Sequence, residues 1–199
     1  MLITTLRRGK LLHICVFCSS SSVVAPIYFH VARQLGELIA TKGHTLVYGG
    51  ANVGLMLELA QAVKNKGGKV VGVIPRRLAE YGLAFKQADE MIVTESLAER
   101  KAIMEKRADA FIALPGGFGT LEEVTQVITL KQLQYIHGAI VLLNIEGFYR
   151  HLLAHFEFLY HERFAKPIYR QLYYVASTPQ EAMEHIEHYD PATLPTKWF

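Results

Sequence analysis

The stretch DAFIALPGGFGTLEE, residues 109–123, decides the fold of this chain. It begins as an apolar run of strand length, reaches Pro115, and then carries three glycines within four residues. A Thr-x-x-Glu pattern, Thr120 with Glu123, then opens an apolar periodicity that is typical of a helix and runs to about Gln134. The stretch therefore predicts a buried strand, a tight loop and the start of a helix.

The glycines of this loop, Gly116, Gly117 and Gly119, predict a site for an anion, above all a phosphate. Glycine lets the backbone turn sharply and lets a ligand approach without a Cβ in the way. The first amides of the helix have no acceptor within it and can donate to phosphate oxygens. Thr120 and Glu123 also fit a capping box, in which both side chains serve only the helix end. Spacing alone leaves this structural interpretation and a functional carboxylate equally open.

Apolar runs of strand length alternate with helical patterns along the rest of the chain. The strand-like runs are 11–18, 44–48, 69–74, 90–93, 139–145 and 172–176, and helical patterns begin near Pro26, Gly54, Ser96, Phe148 and Pro179. This alternation is typical of an α/β protein: a three-layer, Rossmann-like fold with a mainly parallel central sheet and helices on both faces. Ligands of such sheets bind at the carboxyl ends of the strands, where we expect the loops at Ser19, Gly49 and Gly116 to converge.

The composition is that of a soluble globular protein, with 51% hydrophobic and 20% charged residues. We predict one nucleotide-binding domain over residues 1–199, with an irregular basic leader (1–10) and an irregular tail (190–199). The net charge of +3 is small and spread along the chain, which argues against a nucleic-acid partner. No apolar run approaches a membrane span, and the run after the leader is needed as the first strand. We therefore expect a cytoplasmic protein without a membrane partner.

Cys15 and Cys18 form a C-x-x-C pair, but both fall within the first predicted strand. Three strand steps would separate their Cα atoms by about 10 Å, beyond the roughly 7 Å that a disulfide spans. We expect two buried thiols. Metal binding is also poorly supported, because His151 and His155, although four residues apart, have no H-E-x-x-H pattern around them. No metal and no cofactor are predicted.

The second glycine turn does not fit the common nucleotide cofactors. A dinucleotide fingerprint would need glycine at Ala51, and no acidic residue lies between Glu58 and Glu80 to bind a ribose. NAD is thus disfavoured, and a P-loop fails because no Lys-Ser/Thr follows the glycines. Arg76 and Arg77 leave an NADP-dependent reductase as a weak alternative. The aromatic helix predicted from Phe148 to about Phe164 carries more apolar residues than one core face needs, which favours burial in a homodimer.

Residues 114–123 also match P-G-G-x-G-T-x-x-E, the signature of the LOG (LONELY GUY) proteins. Further matches are Val16-Phe17-Cys18 with the serines, Val47-Tyr48-Gly49-Gly50, Val53-Gly54-Leu55-Met56, Gly72-Val73-Ile74-Pro75, Glu99-Arg100-Lys101-Ala102 and Leu142-Leu143-Asn144. The chain therefore resembles this family of cytokinin riboside 5′-monophosphate phosphoribohydrolases, which are often mislabelled lysine decarboxylases. The departures include Ala51 and Leu57, which replace family glycines beside the second loop and bear on the preferred base.

The resemblance implies a function and a site. Arg100 and Glu123 resemble the catalytic pair of the family, Gly116 to Thr120 its phosphate cradle, and Ser20, Gly49 and Met104 the enclosure of the nucleotide. The implied protein is a dimeric, cofactor-independent hydrolase that splits adenine nucleoside 5′-monophosphates, including N6-modified ones, into free base and ribose 5-phosphate. A non-catalytic nucleotide or molybdenum-cofactor carrier on the same fold is the alternative. Without the resemblance, the sequence favours Arg100 as an exposed helix charge.

Overall fold

Seven parallel strands form one sheet in the computed structural model, which describes residues 11–191. The strands are β1 (His13–Phe17), β2 (Thr45–Tyr48), β3 (Lys69–Pro75), β4 (Glu90–Thr94), β5 (Ala110–Ala113), β6 (Ile140–Leu143) and β7 (Tyr174–Ala176). Their order across the sheet is β4-β3-β2-β1-β5-β6-β7. The predicted three-layer α/β fold with a parallel sheet is confirmed.

Seven α-helices lie within residues 11–191. They are α1 (Pro26–Thr41), α2 (Gly54–Asn65), α3 (Arg76–Glu80), α4 (Leu97–Arg107), α5 (Phe118–Gln132), α6 (Arg150–His161) and α7 (Pro179–Glu187). Short 3-10 turns at Ile145–Gly147 and Pro167–Leu172 precede α6 and β7. The predictions for the leader and for residues 192–199 of the tail lie outside the described residues.

The core has two layers because side chains of each strand alternate between the two faces of the sheet. On β1, Ile14 and Val16 pack with α1, α2 and α7, whereas Cys15 and Phe17 pack with α4, α5 and α6. Both cysteines are free and buried, as predicted from their spacing. Strands covered on both sides must be apolar at every position, which explains why they read as unbroken runs in the sequence.

The order in which successive strands join the sheet changes direction at the boundary between β1 and β5. Strands β2, β3 and β4 lie on one side of β1, and β5 is its neighbour on the other side, with Ile14 paired to Ala110. The connections leaving β1 and β5 therefore diverge and leave a crevice at the carboxyl edge, the position at which open α/β sheets bind ligands. The loop at Ser19, which follows β1, and the loop at Gly116, which follows β5, both lie at this edge.

The structure adds one short helix to the elements predicted from the sequence and shortens another. The segment after β3 contains the short helix α3, which has no buried residue and so no apolar periodicity to reveal it. The aromatic helix, predicted from Phe148 to Phe164, begins only at Arg150 and ends at His161. Its start is delayed because the Asn144 side chain accepts the Tyr149 N–H at 2.7 Å and holds the preceding turn in a 3-10 conformation.

Candidate active site

The glycine loop starts α5 without any side-chain cap. Gly117 is the residue before the helix, in an extended conformation, and no side chain accepts a hydrogen bond from the first turn. Thr120 lies inside that turn, 3% exposed, and Glu123 directs its carboxylate to another helix. The capping-box interpretation of Thr120 and Glu123 is therefore wrong, and the first amides of α5 remain available to an outside acceptor.

The three glycines of the loop have different surroundings, which explain the absence of a side chain in different ways. A Cβ at Gly116 would lie 2.1 Å from Thr120 Oγ1, so the packing of Thr120 over the loop requires a glycine there. Cβ atoms at Gly117 and Gly119 would meet no atom within 4 Å of the described structure. The space in front of the helix start is thus open, and Phe118 between these glycines is 91% exposed. An anion has unobstructed access to the helix amides.

Ser20 and the second glycine turn lie together because the loop after β1 packs on the start of α2. The Leu55 N–H donates to the Ser19 carbonyl at 3.0 Å. Gly54 has φ +56°, and a Cβ there would lie 2.4 Å from the Ser20 carbonyl carbon. Only glycine permits both this conformation and this contact. Because β2, β1 and β5 are adjacent parallel strands, the loops that follow them, at Gly49, Ser20 and Gly116, lie at the same edge of the sheet, as predicted.

Arg100 reaches this edge from α4. Ser96 caps the start of α4, with the Glu99 N–H donating to Ser96 Oγ at 3.1 Å, and the Glu99 carboxylate accepts the Glu95 N–H at 2.8 Å. One turn into the helix, Arg100 donates from Nε to the Val73 carbonyl at 3.0 Å and from Nη1 to Glu123 Oε1 at 2.6 Å. The side chains of Arg100 and Glu123 are only 13% and 9% exposed. The interpretation of Arg100 as a solvated surface charge is wrong.

Gly49 lets this arginine lie across the end of β2. A Cβ at Gly49 would come within 2.1 Å of Arg100 Nη2 and within 3.1 Å of Met56 Sδ. Any other residue would force the guanidinium to move from this position. The glycine at this position thus makes room for a protein side chain, in addition to its predicted place around the nucleotide.

Burial dominates the electrostatics of the pair. It raises the pKa of the Glu123 carboxyl above its ordinary value, and the Arg100 guanidinium offsets part of that rise. Beneath the pair, burial also raises the pKa of the thiols of Cys15 and Cys18, and the Glu123 charge adds to this effect. The cysteines are therefore neutral thiols under a buried ion pair, unsuited to act as thiolate nucleophiles.

Met104 lies one turn after Arg100 and is 1% exposed. It packs in the core layer of Phe17 and Phe111, so it supports the crevice from below in this structure. Its contact with a nucleotide stays a prediction. Ala51 is buried and forms a β-bridge with Ala84, whereas Leu57 is 37% exposed on the first turn of α2. Of the two residues that replace family glycines, only Leu57 has a side chain that is accessible to a ligand.

Sequence reasoning missed two features of this site. The Val73 carbonyl is an anchor for Arg100 that no side-chain pattern could reveal. Next to the buried pair, Lys101 contacts the carboxylate of Glu122 and donates to Gln126 Oε1 at 2.6 Å. A signal for this second contact was present, because two adjacent cations, residues 100 and 101, face two adjacent carboxylates, residues 122 and 123, on neighbouring helices.

The groups considered for other ligands are separate from this site. Within residues 11–191, no three His, Cys, Asp or Glu side chains are grouped as a metal site would require. His151 and His155 are exposed on α6. Arg76, considered for an NADP phosphate, forms a bidentate ion pair with Glu95, with Nε to Oε1 at 3.0 Å. In the same range, no helix combines the length and apolarity needed to cross a bilayer.

Comparison with known proteins places these features in context. Residues 56–186 match a family described as "possible lysine decarboxylase". The chain is 40% identical over 184 residues to the probable cytokinin riboside 5′-monophosphate phosphoribohydrolase LOGL2 of Oryza sativa subsp. japonica, covering 92% of this chain and 75% of that protein. It is also 40% identical to the cytokinin riboside 5′-monophosphate phosphoribohydrolase LOG7 of Arabidopsis thaliana, covering 92% and 85%.

A solved structure with a similar fold is the molybdenum cofactor binding protein from the phototrophic bacterium Rippkaea orientalis. It has a TM-score of 0.68 and 27% sequence identity, and the alignment covers 89% of this chain and 96% of that chain. The comparison agrees with the seven-stranded parallel sheet described above.

Proposed function

Because this chain belongs to the family of cytokinin riboside 5′-monophosphate phosphoribohydrolases, we propose that it hydrolyses the N-glycosidic bond of adenine nucleoside 5′-monophosphates, including N6-modified ones. The products are the free base and ribose 5-phosphate. The observation that carries the proposal is the buried Arg100–Glu123 pair, which lies one helical turn beyond the open, uncapped start of α5.

The start of α5 suits the 5′-phosphate. Its free amides and the helix dipole favour an anion, and Gly117 and Gly119 leave the approach open. Glu123 lies on the next turn of α5. At a rise of about 1.5 Å per residue, its distance from the phosphate cradle is within the reach of a ribose. A phosphate held there brings the anomeric carbon toward the carboxylate.

The chemistry follows from the charge that develops on the sugar. Breaking the C1′–N9 bond sends its electron pair to the base and leaves an oxocarbenium-like ribose, which water attacks at C1′. One water proton finally resides on the base. The Glu123 carboxylate offsets the positive sugar and orients the water or the ribose hydroxyls. Arg100 keeps that carboxylate ionised and fixed in direction, since burial alone would favour its protonated form.

A molybdenum-cofactor or nucleotide carrier is the second candidate, supported by the 27% identity to a molybdenum cofactor binding protein. A carrier would hold its ligand by the same phosphate cradle and release it unchanged. It has no need of a desolvated carboxylate beside the sugar, which costs folding energy. The buried Glu123 therefore favours the hydrolase.

We also propose that the protein forms a homodimer and acts in the cytoplasm on a small-molecule nucleotide. The dimer is supported by α6 and its neighbours, where Phe148, Phe158 and Phe164 are 40%, 54% and 81% exposed. The location is supported by the apolar run after the basic leader, which forms the central strand β1. Fractionation of the source cells with an antibody to this protein would test the location.

The reaction is tested by chromatography of purified protein incubated with AMP and, separately, with isopentenyladenosine 5′-monophosphate. We expect free base and ribose 5-phosphate from the parent, and a loss of at least about 100-fold in kcat for Glu123→Ala. Glu184→Ala, which changes an exposed carboxylate on α7, is the matched control and should keep full activity. Ligand bound by the parent but recovered intact would favour the carrier, and full activity of Glu123→Ala would overturn the mechanism.

A further inference from the structure

Helices α4 and α5 meet through two ion pairs that lie side by side. Each helix contributes two consecutive residues, Arg100 and Lys101 from α4, and Glu122 and Glu123 from α5. Consecutive helical residues point about 100° apart, so only one residue of each couple can face the crevice. Arg100 and Glu123 take the inner position. Lys101 and Glu122 form the outer pair, which the proposed reaction does not use.

The outer pair is part of a larger seam between the helices. Lys101 contacts the Glu122 carboxylate and donates to Gln126 Oε1 at 2.6 Å, and Gln126 Nε2 donates in turn to Glu105. Residues 101 and 105 are one turn apart on α4, and residues 122 and 126 are one turn apart on α5, so the seam joins two successive turns. The Lys101 side chain is 17% exposed, which is low for a lysine with no buried role.

The outer pair also lies close enough to influence the inner carboxylate. The titratable or charged groups that face Glu123 are Arg100 and Lys101 from α4, Glu122 from its own helix, and the thiols of Cys15 and Cys18 from β1. After burial and Arg100, the negative charge of Glu122 raises the pKa of Glu123 and the positive charge of Lys101 lowers it. At Glu123 the two outer charges oppose one another.

We propose that Lys101 and Glu122 are a positioning pair, which fixes α4 against α5 so that Arg100 meets Glu123, and whose opposite charges cancel beside the reacting carboxylate. The effect on the reaction rate rests on the proposed function, whereas the effect on Glu123 itself does not. Neither residue needs to touch the substrate.

The proposal makes a prediction that a purely structural seam does not. Lys101→Met leaves the negative charge of Glu122 without its counter-charge, so the pKa of Glu123 should rise. Glu122→Gln leaves the positive charge of Lys101 without its counter-charge, so the pKa of Glu123 should fall. Both single variants abolish the Lys101–Glu122 ion pair, and a purely structural role of that pair would change Glu123 in the same direction in both. The double variant Lys101→Met/Glu122→Gln removes both charges and should return the pKa toward the parent value.

The test is a carbon-13 NMR titration of protein labelled at the glutamate side-chain carboxyls, with the Glu123 signal assigned by its absence in Glu123→Gln. We expect opposite shifts of about 0.3 to 1 pH unit in the two single variants. Lys101→Arg, which retains the charge and the contact, should titrate like the parent. Lys106→Met, which removes an exposed cation from the same helix, is the control and should also leave Glu123 unchanged.

The same variants are then assayed for base release as a function of pH. The acid limb of kcat/KM should move up for Lys101→Met and down for Glu122→Gln, by the amounts that the NMR titration gives. If the parent releases no base, the proposed function fails, and the NMR titration still decides the present inference. Unchanged titration of Glu123 in both single variants, or shifts in one direction, would overturn it.

Discussion

At the scale of single residues, Gly116 and Gly119 stand three positions apart in one loop yet serve different purposes. Gly116→Ala would place a Cβ 2.1 Å from Thr120 Oγ1, so we expect a loss of about 2 kcal/mol of stability together with the activity. Gly119→Ala meets no atom within 4 Å and lies in the first turn of α5. It should raise stability by up to about 1 kcal/mol, because alanine favours the helix.

Both glycine variants should lose function, but Gly119→Ala should do so without losing stability. The methyl group that Gly119→Ala adds would occupy the open space in front of the helix amides, so this variant should bind the nucleotide at least tenfold more weakly while the protein stays folded. Thermal unfolding and equilibrium binding of AMP measure the two effects. Tight AMP binding by Gly119→Ala would show that the phosphate lies elsewhere.

Tyr169 carries a buried hydroxyl for which the described part of the chain offers no hydrogen-bond partner. Its ring is 3% exposed, and its hydroxyl has no hydrogen-bond partner in the described part of the chain. A buried hydroxyl that makes no hydrogen bond costs free energy, so Tyr169→Phe should leave the protein equally stable or stabilise it by about 1 kcal/mol. Urea unfolding measures the change. A loss of more than about 1 kcal/mol would instead indicate an ordered water or another bonded group at this hydroxyl.

The site itself could be predicted only in part from individual residues. The glycine motif located the helix start, and spacing placed Glu123 in the first turns of that helix but left a capping role and a functional role equally open. Arg100 was singled out by resemblance alone, because an arginine in a polar helix looks solvated. Its anchor on the Val73 carbonyl depends on the order of strands in space, which no local pattern contains. The charges of Lys101 and Glu122 could be seen in the sequence, but the contact between them could not be predicted.

At the scale of elements, the strands were the easiest to predict and the weakly buried helices the hardest. Strands β1, β3 and β6 are covered on both faces, so nearly every position is apolar and the run is unmistakable. Helix α3 buries no residue and leaves no periodic signal. Helix α6 was predicted too long at both ends, because aromatic residues continue beyond the hydrogen-bonded turns and only Tyr160 within it is buried.

The joint between the end of α5 and α7 contains a buried cation, Lys131. It is 6% exposed, and its ammonium lies 4.6 Å from the centre of the Tyr189 ring. Burial lowers the pKa of Lys131 to about 8. In the unfolded chain the lysine keeps its ordinary pKa near 10.4, so between about pH 8 and 10.4 the unfolded state binds more protons. The contribution of this residue to stability therefore rises with pH across that window.

Lys131→Met should stabilise the protein at pH 7 by about 1 to 2 kcal/mol, because methionine fills similar space and packs on the aromatic ring without a desolvated charge. The advantage over the parent should shrink steadily above pH 8 and nearly vanish by about pH 10.5. Melting temperatures of both proteins from pH 6 to 10.5 measure this difference and cancel the other titrating groups. The exposed Lys86→Met is the control, and a gap independent of pH would contradict the assignment.

At the scale of the whole molecule, the proposed dimer makes α6 the face to disrupt. Light scattering at micromolar concentration should give twice the chain mass of 22.4 kDa. Phe158→Glu places a charge in the expected interface and should raise the dissociation constant by 30-fold or more, about 2 kcal/mol. Tyr135→Glu, at a side chain that is 75% exposed in the turn just after α5, is the control and should remain dimeric. A monomeric parent would exclude the proposal.

The order of the strands also governs how the chain can be built during synthesis. Ile14 pairs with Leu46 early in the sequence, but its other neighbour, Ala110, leaves the ribosome much later. Until then, β1 has one bare edge and no crevice exists beside it. Such distant pairings give a high contact order and slow folding, and they prolong the exposure of an apolar strand edge to other nascent chains. The central placement of the first strand thus means that the crevice cannot form before β5 has been synthesised, and until then the growing chain carries an apolar strand edge that favours aggregation.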